Sequence, residues 1–313
     1  MKFLLSCLST QHSLLRKHWA DSPRTTKDQP NVLGTRFKPT YDLGGILALV
    51  NEQGQVERTL NLPQPAGMIH WKGRVLVATR WAIYNVSPDL TKVREVVSLP
   101  TFNALHSLSK TKQGYLIAST GLDLLLELDA WGQVIWSWWA DEHGFDKTPL
   151  GEPRTIDKDF DHRGLEYGTL THTTHVNSSA QKSGGSVLAS LFHQGTIIEI
   201  EPETGQWYSL LGGLDHAHSI RILDDQTFTV ADTGRGKALL IHQDGRLARV
   251  KSSIHIETTW LQDCTYLPEQ DIWVLVDGQN SRLVLRSGLD GSRTLTEYQF
   301  DKEWRLYEAL ILS

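Results

Sequence analysis

The feature that most constrains this chain is a short turn segment that recurs along its length. A degenerate copy, SPDLTKV, occupies residues 87–93. The clear copies are NEQGQV, DAWGQV, EPETGQW, HQDGRL and GLDGSRT, with turn glycines Gly54, Gly132, Gly205, Gly245 and Gly291. Each turn lies between two strand-like apolar runs, which is typical of a β-hairpin. The sequence therefore predicts one all-β unit that is repeated.

The spacing of these turns predicts the architecture. Most intervals are about 36–46 residues when the degenerate copy is included, which is the length of a four-stranded propeller blade. Six hairpins therefore predict an all-β, six-bladed β-propeller in which residues 1–313 form a single domain. The first strands lack an innermost partner, and RLYEALILS at 305–313 can supply it. The last strand is thus expected to close the ring within the first sheet, which leaves no open edge.

Two segments exceed the blade pattern, and composition limits the partners. Residues 9–43 and 140–171 are predicted as insertions on the face where the innermost strands begin.

The apolar run MKFLLSCL is predicted to be a buried strand rather than a targeting signal. With only Cys7 and Cys264 there is no disulfide framework, so a cytoplasmic location is expected. A net charge of −5 and the absence of a long apolar run predict no nucleic acid and no membrane as partner; the expected partner is a small-molecule substrate at the site described next.

Polar residues mark the starts of the predicted innermost strands. Innermost propeller strands commonly begin with Gly, Pro or a small apolar residue, and in this chain one of the six has Pro65 at that position. Alignment of each innermost strand on the strand that follows it places five ionisable residues beside the central channel: His106, His175, His218, Asp263 and Glu308. Clustered groups of like charge are destabilising without a ligand, so we interpret this ring as a functional site.

A rim of further polar residues is predicted around this ring, because the second strands end on the same face. His172 and His216 precede two of the ring histidines and are interpreted as loop residues of that face. The rim residues are Arg80, Asp123, His193, Asp232, Arg235, Asp277 and Asn280. Loops on a rigid scaffold commonly carry binding and catalytic groups, so all of these are candidates.

The composition of the ring favours a divalent transition metal, with zinc or iron best matched to its ligands. His106, His175, His218 and Asp263 are the predicted ligands, which leaves a position for water or substrate. The metal would act as a Lewis acid or would lower the pKa of a bound water. Glu308, or Asp263 if it is not coordinated, is the predicted general base.

Two alternatives to a metalloenzyme remain open. Without a metal, a neutral histidine can act as a nucleophile while a second histidine and an arginine stabilise the transferred anionic group. Asp263 and Glu308 would then be counter-ions. The other alternative is a propeller that binds a ligand or peptide without catalysis. One or two tryptophans near the loops are candidates for the floor of an aromatic-substrate pocket: Trp19, Trp71, Trp81, Trp260 and Trp304.

Part of the chain resembles the arylsulfotransferase-like six-bladed propellers. The resemblance lies in residues 106–146, in THVN at 174–177 and in residues 218–241, and it covers about 100–240 well. It implies a propeller with histidines at the channel mouth, one of which carries a sulfuryl group between a phenolic donor and an acceptor. His175 or His218 would be that nucleophile, and His106 with Arg80 or Arg235 would stabilise the anion.

Overall fold

The structure, a computed structural model, describes residues 1–21 and 43–312 and confirms the predicted six-bladed β-propeller. The described residues contain one α-helix, which lies in the predicted insertion at 9–43. Residues 22–42 of that insertion lie outside the described ranges. None of the described helices combines the length and the apolar character of a membrane span.

The strands follow one another in chain order, four to a sheet. The first sheet is begun by β1 (Lys2–Ser9), which is followed by α1 (His12–Asp21), β2 (Ile46–Val50) and β3 (Val56–Asn61). The next two sheets are β4 (Met68–Trp71), β5 (Arg74–Ala78), β6 (Ile83–Val86), β7 (Val93–Val97), and β8 (Leu105–Lys110), β9 (Gly114–Ser119), β10 (Leu124–Asp129), β11 (Val134–Trp139). The insertion at 140–171 separates them from the last three sheets and carries two short 3-10 helices, Ala140–His143 and Thr169–Thr171.

The remaining strands complete the ring. They are β12 (Val176–Gln181), β13 (Val187–Leu191), β14 (Thr196–Ile200), β15 (Trp207–Leu211), then β16 (Ala217–Asp224), β17 (Thr227–Asp232), β18 (Lys237–Asp244), β19 (Leu247–His255), and finally β20 (Leu261–Leu267), β21 (Ile272–Asp277), β22 (Arg282–Ser287), β23 (Arg293–Gln299) and β24 (Arg305–Leu312). The innermost strands β4, β8, β12, β16, β20 and β24 contact one another in sequence, and β24 returns to β4.

The first and last strands close the propeller as expected. In the closing sheet the order is β24-β1-β2-β3, and β24 is antiparallel to β1 with Phe3 opposite Ile311 and Leu5 opposite Ala309. The N-terminal apolar run is therefore a buried strand of this sheet, since Phe3 and Leu5 are 0% exposed.

The core lies between the blades, because each sheet is packed against a neighbour on both faces. Middle strands such as β9 are buried at every residue, whereas the outer strand β3 is mostly exposed. Trp138 on β11 is 1% exposed and packs in one cluster with Leu116 of its own sheet and Val187 of the next sheet. Its large ring therefore fills space between two blades. The blades form a rigid scaffold that fixes the starts of the innermost strands.

Candidate active site

A cavity of about 410 Å³ opens at the mouth of the propeller channel. Its walls come from the starts of innermost strands, from α1 and from the insertion at 140–171. Seven residues singled out in the sequence line it together: Trp19, Arg80, His106, His172, His175, His218 and Trp260. The structure therefore brings together the three predicted ring histidines and one predicted loop histidine, which is 2% exposed.

The strand registers correct the alignment that predicted a single ring of five residues. Leu105 of β8 and Ala217 of β16 pair with the last residue of their second strands, and His106 and His218 directly follow them. On β20 this pairing falls on Leu261, so Gln262 occupies the position of the two histidines and Asp263 lies one residue deeper.

The same comparison places His175 before the position that His106 and His218 occupy on their strands. On β12 the equivalent pair is Val176 with Leu191, so Asn177 takes the histidine position and His175 precedes the strand. The aligned residues thus belong to successive levels of the channel. β8, β12 and β20 each have one shift of register, directly after this pair, whereas β16 has a second one between Ile222 and Asp224, so equal spacing in the sequence does not give equal positions on the strands.

His106 and His218 are held in the same way. Nδ1 of His106 donates to the carbonyl oxygen of Ala104 at 2.7 Å, and Nδ1 of His218 donates to that of His216 at 2.8 Å. Ala104 and His216 have positive φ values of 48° and 58°, which turn these carbonyls toward the rings. A hydrogen on Nδ1 leaves the lone pair on Nε2, the state that a base or nucleophile requires.

His172 and His175 form a stacked pair beside His106. Their ring centroids are 4.7 Å apart with planes 15° from parallel, and the centroid of His175 is 5.2 Å from that of His106. Nε2 of His172 is buried and has no hydrogen-bond partner among the described residues. A buried polar atom of this kind needs a partner, so it indicates a water or ligand in the cavity.

Asp123 fixes the segment that carries this pair. Its carboxylate accepts hydrogen bonds from the backbone N–H groups of Thr173, Thr174 and His175 at 2.7, 3.0 and 2.6 Å, and it pairs with Arg154. Burial opposes ionisation of Asp123, but Arg154, His172 and these donors outweigh it and lower its pKa to about 2. Asp123, a predicted rim residue, therefore holds in place the backbone of the segment that carries His172 and His175.

The clustered histidines are neutral at physiological pH because His172, His175 and His218 are buried and His106 is partly buried. Burial is the largest cause that lowers the pKa of His106 to about 4 and of His172 and His218 to about 3. The pKa of His175 is also well below its usual value, because burial and then the neighbouring His172 disfavour its charged form. The cavity therefore presents imidazoles as bases rather than as cations.

Arg305 supplies the positive charge of the cavity. Its side chain is 5% exposed, donates to the carbonyl of Gly278 at 2.7 Å, and lies 5.2 Å from the ring of Trp260 and 6.0 Å from that of Trp19. No carboxylate of the described residues forms an ion pair with it. Burial lowers its pKa to about 10, so it stays charged near neutral pH.

The other arginine of the cavity is neutralised. Arg80 pairs with Glu166 of the insertion, whose second oxygen lies 2.7 Å from Nε2 of His18 on α1. With neutral histidines and a neutral Tyr307, whose pKa burial raises well above its usual value, the described lining has an excess positive charge at Arg305. Such a site favours an anion.

Asp263 and Glu308 lie below the histidines and share one cation. Arg221 is 3.1 Å from a carboxylate oxygen of Asp263 and 2.9 Å from one of Glu308. This corrects the prediction that Asp263 or Glu308 acts as a general base, or Asp263 as a metal ligand, in the same cavity as the histidines. These carboxylates do not line that cavity.

The donor set does not fit the predicted metal centre. Within residues 1–21 and 43–312, no group of three or more His, Cys, Asp or Glu residues is arranged to hold a metal ion. Asp263, one of the predicted ligands, is paired with Arg221. The zinc or iron hypothesis gains no support from these contacts.

Several predicted rim residues stabilise turns instead of lining the cavity. Asp232 accepts from Arg235 at 3.1 Å and from the backbone of Asp215 at 2.6 Å. Asp277 is 0% exposed and is paired with Arg282 at 2.7 Å; it also accepts from Asn280. Arg235, Asp232 and Asp277 are thus apart from the histidines.

His193 and His216 border the site from outside. Nε2 of His193 bonds to the carbonyl of Thr169 at 2.9 Å, and His216 stacks on Trp260 at 5.8 Å while its Nδ1 lies 2.6 Å from Asp215. Sequence reasoning missed Arg305, Tyr307, Glu166, His18 and Phe192 in the lining. The one signal that was available is the polar run RLYE at the start of β24, from which only Glu308 was singled out.

Comparison with known proteins shows relatives in fold alone. No family model matches the sequence, and no curated protein matches it. A protein of unknown function from Bacteroides caccae has a TM-score of 0.62 at 12% identity and covers 98% of this chain and 97% of its own. A chain of the nidogen/laminin complex has a TM-score of 0.58 at 9% identity, with coverage of 99% and 97%. Virginiamycin B lyase from Staphylococcus aureus has a TM-score of 0.50 at 12% identity, with coverage of 75% and 69%.

Proposed function

We propose that the protein is an enzyme that acts on a small aromatic anion in the cavity, with His218 as nucleophile and Arg305 as the group that binds the anion. The observation that carries the proposal is that buried neutral imidazoles share one cavity with an arginine that has no carboxylate partner among the described residues. Both residues contact Trp260, with His218 at 5.7 Å and Arg305 at 5.2 Å from its ring.

The reaction supported best is transfer of a sulfuryl group, as the resemblance to arylsulfotransferase-like propellers also implies. Nε2 of His218 would form a bond to sulfur while the bond from sulfur to the phenolic oxygen breaks and phenolate leaves. An acceptor hydroxyl would then attack the same sulfur, release the imidazole and give its proton to a neutral neighbour such as His106. Arg305 would stabilise the equatorial oxygens throughout.

The charges of the channel support this choice over general base catalysis by a carboxylate. Free carboxylates beside the histidines would repel a sulfate, but Asp263 and Glu308 are bound to Arg221 below the cavity. The aromatic part of the substrate would lie against Trp19 and Trp260, whose rings line the cavity next to Arg305. Virginiamycin B lyase is named as an enzyme on the same fold, which supports the capacity of this scaffold for catalysis.

The test is release of nitrophenol from 4-nitrophenyl sulfate, with phenol as acceptor and protein purified without a metal-binding tag. We expect release to rise with acceptor, and we expect His218→Gln to lower it by about 100-fold or more. His70→Gln is the matched control, because His70 is exposed, lies outside the cavity and bonds through Nε2 to the carbonyl of Ile311. Trapping of a sulfuryl group on His218, detected by mass spectrometry, would identify the intermediate.

Three outcomes would overturn the proposal. Release that is unchanged in His218→Gln removes the nucleophile. Binding of aromatic sulfates without any turnover favours the non-catalytic binding module. One equivalent of zinc or iron in elemental analysis, lost in His106→Ala and His218→Ala without unfolding, favours the metal-dependent enzyme instead.

A further inference from the structure

A second, smaller chamber of about 20 Å³ lies below the cavity along the channel. We call it the lower chamber. His106, His218, Gln262 and Tyr307 line both spaces, so these side chains lie between the two. The deeper wall of the lower chamber consists of Ser107, Asn177, Ser179, Arg221, Asp263 and Glu308.

The polar lining of the lower chamber is incompletely satisfied. Oγ of Ser107, Oδ1 of Asn177 and Oγ of Ser179 are buried and have no hydrogen-bond partner among the described residues. Buried hydroxyl and amide groups without partners are costly, and an ordered water is their usual partner. The volume suits one such water, since a water needs roughly 10–15 Å³ of this kind of space.

The charged groups of the lower chamber do not balance. Asp263 and Glu308 have side chains that are 4% and 6% exposed, and they share the single guanidinium of Arg221. With both carboxylates ionised, the cluster has a net charge of −1. Two buried carboxylates that share one cation repel each other, so one of them binds a proton readily.

Glu308 is the carboxylate that takes this proton. Asp263 accepts hydrogen bonds from Ser219, Arg221 and the backbone of Ala309, whereas Glu308 accepts from Arg221 and the backbone of Met68. Fewer donors stabilise the anion of Glu308. Burial is the main cause that raises its pKa to about 7, with Asp263 adding to the rise and Arg221 opposing it.

The titratable groups around Glu308 come from β8, β16, β20 and β24. β4 and β1 contribute only the Met68 amide and the Ser6 hydroxyl. The charged or titratable neighbours are Arg221, Asp263, His106, His218 and Tyr307. The histidines remain neutral and Tyr307 remains protonated near pH 7, so Glu308 is the group that can change its charge there.

We infer that the lower chamber holds ordered water and that binding of an anion in the cavity above is accompanied by uptake of one proton at Glu308. The inference rests on the proposed anion site. An anion at Arg305 adds negative potential to a cluster that is already negative, and a proton on Glu308 reduces the cluster charge to zero. The proton comes from solvent, and the carboxylate becomes a carboxylic acid that keeps its bond to Arg221 through the other oxygen.

The first measurement is calorimetric titration with naphthalene-2-sulfonate at pH 7 in two buffers of different ionisation enthalpy. We expect uptake of a substantial fraction of one proton per ligand in the native protein and none in Glu308→Gln. Glu199→Gln is the matched control: Glu199 is a buried glutamate that pairs with Lys182 at 3.5 Å outside both spaces. Uptake that persists in Glu308→Gln would place the proton on a histidine and overturn the inference.

The second measurement needs no ligand and no variant of Glu308. Infrared difference spectra of the native protein should show one carboxylic acid band that titrates near neutral pH. Ser179→Val should shift that titration to higher pH, because an apolar wall expels the water and desolvates Glu308 further. A native protein without such a band overturns the inference even if the sulfonate binds. If the sulfonate does not bind, the proposed function fails, while the infrared titration still decides the state of Glu308.

Discussion

The Nδ1 atoms of His172 and His175 lie 2.5 Å apart, so one of them must donate a hydrogen bond and the other must accept it. The two imidazoles are therefore opposite tautomers, and neither can take a second proton on this side without breaking the bond. Asp123 holds the backbone of His175 and Arg154 lies nearby, which keeps the arrangement fixed. The hydrogen bond thus fixes the tautomers of the pair, while burial disfavours the charged form of both rings.

The shared hydrogen of this pair is directly observable. We expect one ring N–H proton at unusually low field in NMR spectra, protected from exchange and unchanged between about pH 8 and pH 5 because both pKa values are lowered. His172→Phe keeps a stacked ring but removes the bond, so the signal should disappear. It should remain in His70→Phe, and its presence in His172→Phe would contradict the pairing.

Replacement of Asp123 should disrupt the site from behind. Asp123→Asn places an amide donor against backbone donors and leaves Arg154 without its charge partner, so we expect a loss of about 3–5 kcal/mol in the free energy of unfolding. Urea denaturation at pH 7 measures this loss. Asp225→Asn, at an exposed aspartate, should change it by less than about 0.5 kcal/mol. An equal effect of the two changes would refute the role of Asp123.

Acid should destabilise the protein through its buried histidines. The pKa of His106 is lowered to about 4 from 6.5, so its contribution to stability is present above pH 6.5 and is lost as the pH falls through 4. A shift of this size corresponds to about 3 kcal/mol. His106→Gln should therefore lose less unfolding free energy than the native protein between pH 7 and pH 4. Parallel curves for the two proteins would contradict the burial of a neutral His106.

Arg305 should matter for binding more than for stability. Arg305→Met should weaken binding of naphthalene-2-sulfonate at least tenfold, about 1.4 kcal/mol, because no other unpaired cation is found in the described lining. The free energy of unfolding should change little, since loss of the bond to Gly278 is offset by removal of a buried charge. Arg235→Met is the control, because Arg235 lies outside the cavity. Equal affinities of the two variants would remove Arg305 from the anion site.

The fold could be predicted because the repeat follows from backbone physics. Gly132 and Gly291 have positive φ values of 87° and 59°, and each lies in the turn of a hairpin. These turns recur along the chain at intervals of about one blade. Their regular recurrence required no knowledge of long-range contacts. The closing strand was predictable for the same reason, since one sheet lacked an innermost member.

The site was predictable only in part because sequence spacing does not reveal bulges. His106 and His218 share a strand position and were aligned correctly, whereas Asp263 and His175 lie one residue after and two residues before that position, because the number of register shifts differs from hairpin to hairpin. Arg305 was missed because nothing in the sequence indicates that an arginine is buried without a carboxylate. Its significance depends on the positions of Trp19 and Trp260, which distant segments supply.

Pairing of β1 with β24 joins residues that are about three hundred positions apart, as Phe3 with Ile311 shows. Contacts of such long sequence separation form late and slowly during folding, because the entropy of loop closure must be overcome before they give any stabilisation. β24 also carries Arg305, Tyr307 and Glu308. We therefore expect refolding kinetics in which most blades regain their structure in an early phase and ligand affinity returns only in the last one.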